Sequence, residues 1–122
     1  MLRRFETSWK RAEHPDVTSA ITAITSILAG GQRPSQQGIA QLVGLSASDL
    51  ARLLVFEMGR TFVQCRSVVA IMLGAQRLAA STKQVAEIAY ALGFQHPAQF
   101  DREFHRTLGL SPSGFRKLLK LI

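Results

Sequence analysis

Residues 84–116 read QVAEIAYALGFQHPAQFDREFHRTLGLSPSGFR, and the reading of this stretch decides the fold. Val85, Ile88, Ala89 and Leu92 recur at helical spacing and stop at Gly93. Apolar residues three and four apart share one face of a helix, so the run is expected to be a short helix with one buried side. Glycine adopts the left-handed backbone without a Cβ clash and so ends it. A turn follows, then a second helix with Phe100, Phe104 and Leu108 inward and Asp101, Arg102 and Arg106 between them. Helix, glycine turn, helix is the layout of a helix-turn-helix.

Downstream, Ser111-Pro112 opens a last helix, since serine accepts from free amides and proline suits the first helical turn. Phe115, Leu118 and Leu119 are expected to pack back, with Arg116, Lys117 and Lys120 near the C-terminal end, where cations are favoured. Upstream, a helix from about Asp16 to Leu28 is expected, with Asp16 as N-cap and Val17, Ile21, Ile24 and Leu28 as its buried stripe. Gly30-Gly31 stops it. Gln36 to Val43 follows, capped by Ser35, with Ile39, Ala40 and Val43 inward and Gly44 at its end. Ala47 to Met58 comes next, capped by Ser46, with Leu50, Leu53 and Leu54 inward and Asp49 complementing the helix dipole. These two helices form another helix-turn-helix.

The two motifs repeat. Ile39-Ala40 matches Ile88-Ala89 and Gly44 matches Gly93 at an offset of 49; Arg52 matches Arg102, Leu54 matches Phe104 and Gly59 matches Gly109 at an offset of 50. The shift predicts one extra residue in the second turn or at the start of its second helix. Between the units one helix spans roughly Phe62 to Ala79. At about 1.5 Å per residue it is on the order of 27 Å long, against roughly 34 Å for a turn of B-DNA. Strand-like alternation is absent. The fold class is therefore all-α, with about seven helices: two helix-turn-helix subdomains joined by a long central linker helix. The expected divisions are an arm at 1–16, a first subdomain at 17–60, the linker at 61–80 and a second subdomain at 81–122.

Composition agrees with a basic globular chain. Of 122 residues 47% are apolar, enough for a core, and the net charge is +7. That balance fits a polyanionic partner, a nucleic acid or an acidic membrane surface. The lone Cys65 rules out an internal disulfide and fits a reducing cytoplasm. No stretch is apolar enough to span a membrane, and no apolar run follows Met1-Leu2-Arg3-Arg4 as a secretory signal requires. Residues 1–16 hold Arg3, Arg4, Lys10 and Arg11 near Phe5 and Trp9, readable as a frayed arm, a short extra helix or a basic arm on a phosphate backbone. His14, His96 and His105 show no metal spacing with Cys65, and no glycine-rich phosphate loop is present. No enzyme activity, cofactor or metal is expected.

Ile88-Ala89, Leu92-Gly93-Phe94, Phe100, Arg102, Phe104, Gly109, Ser111-Pro112 and Arg116 together closely resemble the signature of the AraC/XylS family of bacterial transcription activators. The resemblance covers about residues 17–119 and implies two recognition helices held in successive major grooves by the linker helix. It implies double-stranded DNA as partner, with RNA polymerase recruited or obstructed, activation as the commoner outcome and no cofactor. A homodimer is a further candidate assembly. Most such regulators attach an effector-sensing domain, so the chain is either a stand-alone regulator or the C-terminal part of a longer one. The family commonly has an aromatic at Cys65, an arginine at Ala70 and a small polar residue at His96, and this chain has none of these.

A recognition helix enters the major groove by its N-terminal turns. Matching the motif onto this chain gives Ser48, Ala51 and Arg52, then Pro97, Ala98, Gln99 and Arg102, as the DNA-contacting set, with His96 beside them as a turn residue or phosphate neighbour. Arg52 and Arg102 lead it: a guanidinium can donate two parallel bonds to guanine O6 and N7, or hold a phosphate. Gln99 suits adenine, and Ser48 a phosphate or a thymine. Ala51, Pro97 and Ala98 can make only apolar contacts, so degenerate specificity supported by DNA shape is expected. Arg33, Lys83, Arg106 and Arg116, and the helix starts at Ser35 and Gln84, are candidate phosphate partners. The run Val68-Val69-Ala70-Ile71-Met72-Leu73 is apolar all round, so it is buried on more than one side or faces a partner. The second option motivates an alternative: a protein-interaction module that kept the fold and lost sequence reading. A peripheral membrane protein is the third.

Overall fold

The computed structural model describes residues 14–122; the arm expected at 1–16 lies almost wholly outside the described residues. Among those described there are seven α-helices and no strand. They are α1 (Pro15–Ala29), α2 (Gln36–Leu42), α3 (Ala47–Met58), α4 (Phe62–Ala80), α5 (Val85–Ala91), α6 (Pro97–Leu108) and α7 (Pro112–Lys120).

The helices divide into two compact units, and the division runs through both long helices. The first unit ends at Ser26, resumes at Pro34 and runs to Arg66; the second comprises Ile27–Arg33 and Ser67–Ile122. The final turn of α1 and the loop after it thus belong with the second helix-turn-helix, and α4 is shared at Arg66/Ser67.

In the first unit, α2 and α3 form the helix pair. Ser35 Oγ accepts from Gly38 N and Ser46 Oγ accepts from Asp49 N, both at 3.0 Å, so each serine satisfies an amide that the first turn leaves open. Gln36 Nε2 donates to Ala47 O at 2.9 Å and ties the start of one helix to the start of the other. Val17, Ala20, Ile24, Ile39, Leu50 and Leu54 are buried. Thr61 and Gln64 make a reciprocal capping box at the start of α4: Thr61 Oγ1 accepts from Gln64 N, and Gln64 Oε1 accepts from Thr61 N. Arg66 Nη1 donates to Pro34 O at 3.0 Å and fastens α4 to the chain entering α2.

The second unit builds its core on Phe94, Phe100 and Phe104, whose rings meet at 5.3 and 5.6 Å, with Phe115 of α7 a further 5.6 Å from Phe104. Gly93 turns the chain at φ +87°, and a Cβ there would lie 3.2 Å from Gln32 C and 3.3 Å from Gly31 O. The glycine therefore serves both the turn and a close approach to the segment after α1. Gly74 of α4 makes room for Phe100: a Cβ there would stand 2.7 Å from its ring. Arg116 is the counterpart of Arg66. It donates to Lys83 O at 2.6 Å, to Ser81 O at 3.1 Å and to Leu78 O at 3.3 Å, closing the C-terminal end of α4 and the chain entering α5.

The two units keep the repeat in detail. Helices α2 and α5 have seven residues each, at an offset of 49, and α3 and α6 have twelve each, at an offset of 50. The extra residue lies in the turn, 92–96 against 43–46. Gly59 and Gly109 end α3 and α6 in the left-handed conformation. The arginine clamp obeys the same offsets: Arg66 with Pro34, Arg116 with Lys83.

Some details differ from the sequence expectations. Proline suits a first helical position because it needs no N–H there, so α1 begins at Pro15 and Asp16 lies inside the first turn. His14 caps instead, its Nδ1 accepting from Asp16 N at 3.2 Å. The stripe of α1 passes through Ala20, fully buried, while the larger Ile21 sits half-buried at its rim. Leu53 and Val43 are half-buried as well, and Leu118 is 49% exposed because α7 covers only the side bearing Phe115 and Leu119. In the apolar run of α4, Ala70 and Ile71 are buried, Val68, Val69 and Leu73 half-buried and Met72 exposed.

Candidate nucleic-acid interface

The candidate interface consists of the outward faces of α3 and α6, each taken within its own unit. On α3, Leu50 and Leu54 are held in the core, which turns Ser48, Asp49 and Arg52 to solvent, while Ala51 is half-buried. Arg52 is not alone there. Its Nη2 donates to Asp49 Oδ1 one turn back, with the two side chains 76% and 55% exposed. The bond from Arg52, with further support from Ser46, holds the Asp49 carboxyl below the usual carboxylate range.

On α6, Phe100 and Phe104 anchor the inner face, leaving Ala98, Asp101, Arg102, His105 and Arg106 exposed. Pro97 opens the helix and Gln99 lies behind it, both half-buried. His96 is the N-cap in extended conformation and its side chain makes no capping bond; Pro97 has no N–H to cap, and Gln99 N donates to His96 O at 3.0 Å. Arg102 makes no hydrogen bond or ion pair among the described residues, and its guanidinium stands free of the fold, unlike that of Arg52.

The inner face of α6 also carries a buried acid. Glu103 is 8% exposed; Ser67 Oγ donates to its Oε1 at 2.6 Å, and Arg33 Nη2 stands 3.6 Å from its Oε2. The Arg33 guanidinium lies 4.7 Å over the Phe94 ring. Of the candidate phosphate partners, Arg33 and Arg116 are therefore engaged within the fold, while Lys83 and Arg106 are exposed. Sequence reading missed Glu103 and Ser67, because their pairing crosses 36 residues and leaves no local pattern. It could have found the Asp49–Arg52 pair, since residues three apart on a helix are neighbours.

The cysteine lies elsewhere. Cys65 is buried on α4, and burial pushes its thiol above the ordinary range against a smaller opposing effect of Arg60. Among the described residues no three His, Cys, Asp or Glu side chains gather as metal ligands would, and no single helix is long and apolar enough to cross a membrane.

Comparison with known proteins gives the family and the fold. Residues 39–118 match a family described as a helix-turn-helix domain. The chain is 28% identical over 105 residues to the HTH-type transcriptional regulator GlxA of Rhizobium meliloti (strain 1021), covering 85% of this chain and 32% of that protein. The chain thus spans about a third of the length of that curated relative. An AraC-type transcriptional regulator from Chromobacterium violaceum superposes with a TM-score of 0.80 at 22% identity, covering 86% of this chain and 92% of the other. The DNA-binding domain of AdpA, a global transcriptional factor solved in complex with a target DNA, superposes with a TM-score of 0.76 at 20% identity, covering 89% and 96%.

Proposed function

From the premise that this chain belongs to the AraC-type helix-turn-helix family, a DNA-binding domain of transcriptional regulators and not an enzyme class, we propose that it reads specific double-stranded DNA sequences and activates transcription from nearby promoters. The first turns of α3 and α6 enter successive major grooves. Arg52 and Arg102 each read a guanine, and Ser48, Ala51, Pro97, Ala98 and Gln99 complete the two contact sets beside His96. RNA polymerase and a second copy of the chain are the proposed protein partners, and the cytoplasm the proposed compartment.

One observation carries this reading. Arg52 and Arg102 stand at the same register of two twelve-residue helices, and both are exposed on the face opposite the buried residues. Selection from a random duplex pool at fixed salt tests it, because phosphate contacts make nonspecific affinity fall steeply with salt. Two short enriched boxes about one helical turn apart are expected. Arg52→Ala and Arg102→Ala should each weaken the preference at one box by roughly tenfold or more. Affinity for the selected site unchanged in both variants refutes the assignment.

A protein-interaction module without base reading is the second proposal. Exposed Met72 beside half-buried Val68, Val69 and Leu73 favours it. A stable complex burying these residues, with no preference among DNA sequences, would support it over the first.

A further inference from the structure

The base-reading set omits one polar group on the outer face of α3. Asp49 lies at the position that Gln99 holds in α6, at the repeat offset of 50. Its backbone N–H is fixed by Ser46 Oγ at 3.0 Å and its carboxylate accepts from Arg52. The matching pair in α6, Gln99 and Arg102, carries no such ion pair. The two recognition helices therefore present different chemistry: a carboxylate joined to a guanidinium on one, a lone guanidinium on the other.

We propose that Asp49 is a specificity-determining residue, holding Arg52 on a guanine and itself accepting from the exocyclic amino group of the neighbouring base, cytosine N4 or adenine N6. This rests on the DNA-reading function proposed above and adds a determinant to it. An arginine has five N–H donors, so the one given to Asp49 leaves others for guanine O6 and N7. An ionised carboxylate only accepts, and the major-groove groups that donate are the amino groups of cytosine and adenine. A thymine O4 or guanine O6 in that place meets repulsion instead. The pair is also locally neutral, which weakens its pull towards phosphate relative to a lone arginine and leaves hydrogen-bond geometry to choose the site. The depressed Asp49 carboxyl keeps the group ionised throughout the neutral range.

The experiment compares wild type, Asp49→Ala, Asp49→Asn and Arg52→Lys on the selected duplex, on its single-base variants and on random duplex, across a salt series. Asp49→Ala should bind random duplex as tightly as wild type or tighter, having lost a negative charge. Its discrimination at the guanine and the adjacent position should fall about tenfold, with the box read by α6 unaffected. Asp49→Asn, which keeps the shape and adds an amide donor, should move the adjacent preference towards thymine or guanine. Arg52→Lys keeps the charge without the fork and should lose the guanine preference while keeping the salt dependence. Uniform tightening of Asp49→Ala on every duplex, with base preferences intact, overturns the proposal. So does an Arg52→Lys protein that still discriminates. Wild type that enriches no box overturns it together with the base-reading function, and is recognised before any substitution is made.

Discussion

Arg116 was a candidate phosphate partner by charge and position, yet its guanidinium is committed to three backbone carbonyls. Replacing it with methionine keeps most of the apolar stem and removes every donor. A hydrogen bond from a charged donor contributes about 1.5–3 kcal/mol net. The bond to Leu78 O at 3.3 Å is long, and the side chain is only half-buried, which screens it. Counting the shorter bonds to Lys83 O and Ser81 O at a discount gives a loss of about 2–4 kcal/mol for Arg116→Met. For a domain of this size that lowers Tm on the order of 10 °C. Urea titration followed by circular dichroism measures it. Arg116→Lys should recover less than half, because an ammonium cannot reach three carbonyls set out for a planar fork. A methionine variant with the wild-type urea midpoint, but with weaker DNA binding and a flatter salt slope, would show that this arginine serves phosphate and that the clamp reasoning is wrong.

Gly74→Ala places a methyl where the Phe100 ring lies 2.7 Å away; overpacking of about 1–3 kcal/mol should exceed the gain from removing a helical glycine, and an unchanged urea midpoint would contradict the packing. Glu103→Ala leaves Arg33 and Ser67 without their acceptor and should cost about 2–3 kcal/mol, with Glu103→Gln milder because it still accepts from Ser67; equal losses in the two would mean that the ion pair, not the Ser67 bond, dominates. Ser46→Ala removes the acceptor of Asp49 N and should cost about 1 kcal/mol, read from the same titration. Burial raises the Cys65 thiol above its ordinary 9.0 in the folded chain, so the unfolded chain ionises first. Wild type should therefore lose stability relative to Cys65→Ala as pH rises past 9.0, and a constant difference between them from pH 8 to pH 10.5 refutes this.

Much of the fold was legible because its signals are local. Ser35, Ser46 and Ser111 cap where a serine before an apolar run should cap, and the helix-ending glycines Gly44 and Gly93 adopt the left-handed backbone that only glycine takes freely. The repeat offset of 49 passing to 50 was also visible, though only the folded structure places the added residue in the turn. What was not legible depends on partners distant in sequence. Arg116 reaches back 33 to 38 residues, Glu103 reaches 36, and no periodicity marks either. Charge read as solvent-facing was therefore partly interior, and the exposed set was correspondingly smaller. Asp49 is the opposite case: the three-residue spacing to Arg52 was in plain view, and the dipole role alone was assigned to it.

The division of α1 and α4 between two units bears on modularity. The backbone passes from one unit to the other at Ser26/Ile27, again at Arg33/Pro34 and again at Arg66/Ser67. No single cut yields two intact halves. A gene fragment beginning at Ser67 would encode the second helix-turn-helix without Ile27–Arg33, and so without the arginine that pairs with Glu103 and covers Phe94. Moving the second helix-turn-helix onto another protein therefore requires carrying a seven-residue piece that precedes Pro34–Arg66 in the sequence, and recombination that respects only the visible repeat would break it.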